Sequence, residues 1–193
     1  MRKLLFCALV FLLVLQACKD DYTPKRKGYF RIDFPTKEYS TYNKDCPFTF
    51  DVPQYAGVFR DSAQNTEPCW LNIRYQPFNA AIHLTYKPLN GDKKLLEELE
   101  EQSRKYAYEH TIKAQDITPR IIDDSANRMY ITTYSLEGET ATSFRFYATD
   151  NQNHYIDGAF YFNHHTNIDS VAPVQEYLMK DINRMLETLQ WKK

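Results

Sequence analysis

The sequence predicts an α+β domain, an antiparallel sheet covered by two helices. Three observations carry that expectation. Runs with a two-residue apolar period occur in two sets, and each set is followed by one segment with a helical period. Within each set the runs are joined by short turn signals, as neighbouring antiparallel strands require. No βαβ alternation with glycine loops appears, and the chain has only five glycines in 193 residues.

The first set opens with GYFRIDFP, where Phe30, Ile32 and Phe34 alternate with Arg31 and Asp33. That pattern fits a short strand or an extended arm. CPFTFDVP follows, with Phe48, Phe50 and Val52 on one side and Pro47 and Pro53 as bounds. WLNIRY puts Leu71, Ile73 and Tyr75 on one face, and AAIHLTY does the same with Ala80, Ile82, Leu84 and Tyr86. Pro77 and Asn79 lie between these two runs and predict a hairpin. Asn90-Gly91-Asp92 then ends the strand pattern and offers a helix cap. Residues 93–110 read as an amphipathic helix with Leu95, Leu96, Leu99, Tyr106, Ala107 and His110 on its apolar side. Glu97, Glu98, Glu100, Glu101, Arg104 and Lys105 fall on the solvated side.

Pro119 marks the expected start of the second set. Residues 120–123, 128–136, 140–149 and 154–163 are rich in Ile, Tyr, Phe and Thr, the residues that favour strands. Asp124-Ser125-Ala126-Asn127, Glu137-Gly138 and Asp150-Asn151-Gln152-Asn153 supply the turns between them, giving a meander. The last helix is expected over 173–189, with Pro173 in its first turn. Val174, Tyr177, Leu178, Ile182, Met185, Leu186 and Leu189 form its apolar stripe.

Ahead of the domain, Met1-Arg2-Lys3 is basic and residues 4–15 carry no charge. Twelve residues are too few to span a bilayer, which takes roughly 20, and they match a secretory signal peptide. The boundary Leu15-Gln16-Ala17-Cys18 resembles a bacterial lipobox, although Gln16 stands where a small or β-branched residue is more usual. The expectation is cleavage after Ala17 and acylation of Cys18, so that lipid chains hold the protein at a membrane. Lys19-Asp20-Asp21 either solvates a tether or resembles the lysine-acidic export signal of Bacteroidetes surface lipoproteins. The organisation read from the sequence is a signal peptide over 1–17, a lipidated tether over 18–27 and one α+β domain over 28–193. The tether's nine residues after Cys18 would reach at most about 30 Å.

The chain has 24 basic and 25 acidic residues. Removal of the leader leaves a slightly acidic protein, with no positive excess to neutralise phosphates, which argues against nucleic acid as a partner. Of four cysteines, Cys7 leaves with the leader and Cys18 takes lipid, so Cys46 and Cys69 remain as an even pair in an exported protein. A disulfide is the reading preferred over a reactive or metal-binding pair, because no CxxC spacing or nearby histidine accompanies either residue.

Catalytic signatures are sparse. No GxSxG, HExxH, Walker loop or GxGxxG occurs. His164-His165 with Asp169 has the residue types of a metal site, but a polar loop is the simpler reading. His83 and His110 sit among core positions, where a packed or surface imidazole is a simpler reading than a functional one, and Asp123-Asp124 and Glu100-Glu101 are paired only in sequence. Trp70, Tyr75, Tyr86, Tyr130, Tyr134, Tyr147, Tyr155 and Tyr161 could form a sugar-stacking platform if exposed together, although β-propensity alone places tyrosine on strands. No enzyme activity, metal or cofactor is expected.

PFTFDVPQYAG, the middle helix, the meander and the terminal helix together resemble the PsbP/Mog1-like sandwich. More specifically, YTPKRKGYFRIDFP, CPFTFDVPQYA, PCWLNI, NAAIHLTYKPL and YEHTIKA, in this order and spacing, resemble the gliding-motility lipoprotein GldD family of the Bacteroidetes. The likeness is clearest over residues 22–113. It implies an outer-membrane-associated lipoprotein needed for gliding and for the linked type IX secretion machinery, with no known enzymatic activity or ligand. The family pattern also matches both Cys46 and Cys69. The expected mode of action is docking onto other envelope proteins. A surface glycan- or ligand-binding lipoprotein is the alternative.

Overall fold

A computed structural model describes residues 28, 31–64, 66–109, 114–138, 140, 142–163 and 168–192, with backbone only at 168 and 169. The expected leader, Cys18, the tether, Phe30, His110 and His164-His165 lie outside the described residues, as does the side chain of Asp169. The chain divides into a first unit of residues 1–33 and a second of residues 34–193. In the first, Arg31 and Asp33 form an exposed pair at 3.1 Å, a kind of contact that contributes little. All that follows concerns the second unit.

Its strands are β1 (Tyr39–Tyr42), β2 (Phe48–Pro53), β3 (Gly57–Arg60), β4 (Leu71–Tyr75), β5 (Ala80–Pro88), β6 (Ala114–Asp124), β7 (Met129–Gly138), β8 (Thr142–Thr149), β9 (His154–Phe162) and β10 (Gln190–Trp191). The helices are α1 (Lys93–Tyr108) and α2 (Ile168–Glu187). Seven strands form one sheet in the order β3-β4-β5-β9-β8-β7-β6, and β1-β2-β10 form a small second sheet. Every pairing is antiparallel. The α+β plan with two helices therefore holds.

The main core lies between the inner face of the large sheet and a cover made of α2 and the small sheet. Phe48 and Phe50 of β2 and Leu178 and Ile182 of α2 meet Ile73, Ile82, Phe146 and Phe160 of the large sheet there, each no more than 1 % exposed. Burying one such side chain contributes roughly 1.5–3 kcal/mol, which makes this the main source of stability. Gly158 faces Phe146 across the β8-β9 ladder, and a Cβ on it would lie 2.3 Å from the ring. A larger residue at 158 would displace the aromatic. On the outer face a smaller cluster of Ala107, Tyr134 and Leu136 seats the end of α1.

Four details depart from the sequence expectations. The second set starts at Ala114, so Pro119 is mid-strand rather than a boundary. It is tolerated because β6 is the edge strand, where a missing N–H costs no ladder bond. Helix α2 begins at Ile168 and holds Pro173 in its second turn, since the stretch before the proline continues the helix. Strands β1, β3 and β10 were not foreseen; four residues or fewer give too short a period to read. Tyr106 of α1 is 41 % exposed while Ser103 is buried, so the buried stripe of α1 is more polar than its leucines suggest.

The turn from β8 to β9 is organised by Asp150. Its Oδ1 accepts from the backbone N–H groups of Gln152 at 3.0 Å, Asn153 at 2.6 Å and His154 at 2.8 Å. Burial opposes ionisation of this carboxyl, yet the three N–H donors outweigh it and hold the group below its usual range. A depressed carboxyl stabilises the fold above its unfolded pKa of about 3.9 and loses that contribution as pH falls through the folded value. Asp150→Ala is expected to cost about 2–3 kcal/mol at neutral pH, the worth of hydrogen bonds to a charged group. Denaturant titrations should show wild type and variant converging as the pH falls below the ordinary carboxylate range.

Candidate functional site

Three features set the domain's functional geometry: a disulfide, a buried carboxylate that fastens the first residues of the domain, and a groove beside α1.

Cys46 and Cys69 are joined, with Cα atoms 5.5 Å apart. The bond links the turn ahead of β2 to the segment ahead of β4, and both residues are buried. A loop of this length contributes roughly 3 kcal/mol by restricting the unfolded chain.

Asp181 of α2 is fully buried. Its Oδ1 accepts from Lys37 Nζ at 2.6 Å and from the Tyr39 hydroxyl at 2.7 Å, and its Oδ2 accepts from the Tyr55 hydroxyl. Burial first, and the bond to Asp181 second, push both tyrosine hydroxyls to higher pKa, so they remain donors. Lys37 also donates to the Tyr177 carbonyl at 3.0 Å and sits 3.6 Å from the centre of the Tyr177 ring. Phe34 stacks on that ring at 4.3 Å, and the Tyr177 hydroxyl donates to the Pro35 carbonyl. Residues 34–39 are thereby locked onto α2. Sequence reading missed Asp181. Its signal is an acidic residue between Leu178 and Ile182 on the apolar stripe, a position that is unfavourable unless donors surround it.

The groove lies between α1 and the outer face of the large sheet and has a volume of about 580 Å³. Strand pairing aligns His83, Ala159 and Arg145 in one cross-strand row, with Thr85 and Asp157 in the next. Arg145 donates to Asp157 at 2.8 Å, and the Ser103 hydroxyl of α1 donates to the other oxygen of Asp157 at 2.6 Å. Burial pushes the Asp157 carboxyl up, while the Arg145 guanidinium and the Ser103 hydroxyl oppose that rise. The Tyr155 hydroxyl donates to the Leu99 carbonyl at 3.0 Å, so the floor and the helix wall are fastened together. Arg145 also lies 5.2 Å from the centre of the Tyr106 ring. On the opposite rim Trp70 donates to the Tyr86 carbonyl at 3.2 Å and carries Lys87 5.3 Å from its ring centre. Lys87 is in turn paired with Glu67.

The structure separates the eight aromatic residues that could have formed a stacking platform, in keeping with the simpler reading that β-propensity placed them on strands. Tyr75 is buried in the main core on the inner face, and Tyr134 is buried in the cluster beneath α1. Of the eight, only Trp70 and Tyr155 line the groove, and Tyr106 from the helix joins them. His83 is exposed, lines the groove and packs on Tyr161 at 4.5 Å rather than entering the core. Asp123 and Asp124 fall on the edge strand, where the Asp124 carboxylate receives the Asn127 amide at 2.7 Å. Glu101 pairs with Arg104 on the exposed side of α1, whereas burial raises the pKa of its neighbour Glu100. Neither acidic pair converges on a common site. Among the described residues no group of three or more His, Cys, Asp or Glu is placed to hold a metal.

An antiparallel seven-stranded sheet between α1 and an α2-plus-small-sheet cover defines a PsbP-like α+β domain. The solution structure of cyanobacterial PsbP (CyanoP) from Synechocystis sp. PCC 6803 is similar, with a TM-score of 0.50 and 9 % sequence identity. The likeness covers 81 % of this chain and 94 % of that one, and at such identity it speaks for the fold alone. The family profile described as gliding motility lipoprotein GldD matches residues 19–191, and the chain belongs to that family. No curated protein matches the chain.

Proposed function

We propose that this protein is an outer-membrane lipoprotein, anchored by acyl chains on Cys18, that acts without catalysis by docking onto other envelope proteins of the gliding and type IX secretion machinery. Membership of the gliding motility lipoprotein family carries the reading. The family match begins at residue 19, one position after the cysteine of the expected lipobox. Tethering raises the local concentration of the domain near its partners, so weak contacts suffice. With the compact unit starting at Phe34, fifteen residues separate it from Cys18, a contour of at most about 50 Å. The Asp181 cluster sets where that spacer ends, because it fastens Phe34 to Tyr39 against α2.

Complementation of a deletion strain tests this. The wild-type gene should restore spreading and secretion. A version exported by an unlipidated secretory signal and carrying Cys18→Ala should not, despite equal abundance in the periplasm. Full rescue by that soluble version would contradict anchoring as part of the mechanism. A second reading, surface ligand binding, draws on the groove beside α1.

A further inference from the structure

We propose that the groove between α1 and the outer face of the large sheet is a binding site for a neutral saccharide. This assignment deepens the ligand-binding reading and stands independently of docking.

Size comes first. About 580 Å³ lies within the roughly 300–1,000 Å³ of small-molecule sites, and the floor is already formed rather than dependent on closure. Charge comes second. The floor cation Arg145 is neutralised by Asp157, and the rim cation Lys87 by Glu67. Glu109, at the helix end of the groove, has Lys105 4.0 Å away. With its charges paired internally, the groove has no surplus to hold a phosphate, a nucleotide or a metal ion. A ligand without net charge fits it best.

The third point is hydrogen-bond chemistry. The lining mixes donor-only groups, Arg145 and Lys87, with acceptor-only carboxylates, Asp157 and Glu109. Between them stand Ser103, Thr85 and Gln102, which both donate and accept. A hydroxyl also does both, so a ring carrying several hydroxyls can satisfy such a mixed set all round, whereas a carboxylate, which only accepts, cannot. The Nε of Arg145, a residue of the groove floor, is buried and has no acceptor among the described residues.

The fourth point is the aromatic rim. Trp70 and Tyr106 stand at the sheet side and the helix side of the groove. Tyr106 is 41 % exposed although it belongs to a well-formed helix. Aromatic rings at a polar groove offer apolar surface to the C–H faces of a sugar ring.

The test uses the full-length protein in detergent and an array of neutral and acidic oligosaccharides. Neutral probes such as cellotriose and chitotriose are then titrated in solution alongside inorganic phosphate. At least one neutral oligosaccharide is expected to bind and to change the tryptophan fluorescence, with phosphate inert. Trp70→Ala and Arg145→Gln should abolish binding, but both residues also hold the fold. Tyr106→Ala and Gln102→Ala, at exposed positions of α1 on the groove rim, therefore serve as the decisive variants. Each should keep the wild-type melting curve, and Tyr106→Ala should weaken binding by about tenfold or more. Binding of no neutral probe, binding confined to acidic glycans or phosphate, or affinity unchanged in Tyr106→Ala would each overturn the assignment. Complementation of gliding reads the docking role and array binding reads the groove, so the two proposals fail separately.

Discussion

Asp181→Ala is expected to destabilise the domain by about 3–5 kcal/mol, more than any other single substitution considered. Total stability for a domain of this kind is about 5–15 kcal/mol, so the loss is roughly a fifth or more of it. The carboxylate is fully buried and receives Lys37, Tyr39 and Tyr55. Alanine would leave an ammonium and two hydroxyls around a void, and a polar group stranded in that way costs far more than its hydrogen bond contributes when made. Lys37 keeps 24 % of its side chain exposed and can partly rehydrate, which sets the lower end of the range. Asp181→Asn keeps one acceptor oxygen and should fall between variant and wild type. Urea titrations measure the effect. Hydrogen exchange should also show residues 34–39 losing protection ahead of the rest of the fold. A cost below about 1 kcal/mol would show that the cluster does not hold this segment.

Cys18→Ala is expected to have the largest effect on location. Each acyl methylene contributes about 0.8 kcal/mol of membrane affinity, and two or more chains make attachment stable where one is marginal. Among the described residues no helix is long and apolar enough to cross a membrane. Fractionation should find wild type wholly with membranes and the variant in the soluble fraction. The variant must carry an ordinary cleavable secretory signal, because loss of Cys18 from the expected lipobox would otherwise leave the apolar leader attached. Wild-type levels of the variant in washed outer membranes would contradict a lipid anchor.

The architecture was legible where period and punctuation agree. Phe48, Phe50 and Val52, and likewise Leu71, Ile73 and Tyr75, alternate cleanly and prove buried. Asp92 caps α1 as expected, accepting from the N–H groups of Lys94 and Leu95 at 3.0 and 3.1 Å. Legibility failed where one residue has two meanings. Pro119 reads as a strand boundary, but an edge strand tolerates it. Pro173 reads as a helix start, but sits inside α2. The groove was hidden for another reason. Arg145, Asp157 and Ser103 are far apart in the chain, and each looks like an ordinary solvated residue until the pairing of β5, β9 and β8 and the placement of α1 bring them together. A charge at the centre of a predicted inner strand, as in FRFY and YIDGAF, was the available clue. The buried Asp181 offered the same clue on a helix.

The most direct test of lipid anchoring is the mass of the native protein extracted from the envelope fraction of cells. The prediction is a chain that begins at residue 18 and is heavier than its polypeptide by a diacylglycerol thioether, with or without a further acyl group on its amino terminus. Mild proteolysis should place all the added mass on the first peptide. A chain starting elsewhere, or one whose first cysteine alkylates as a free thiol, would contradict the account.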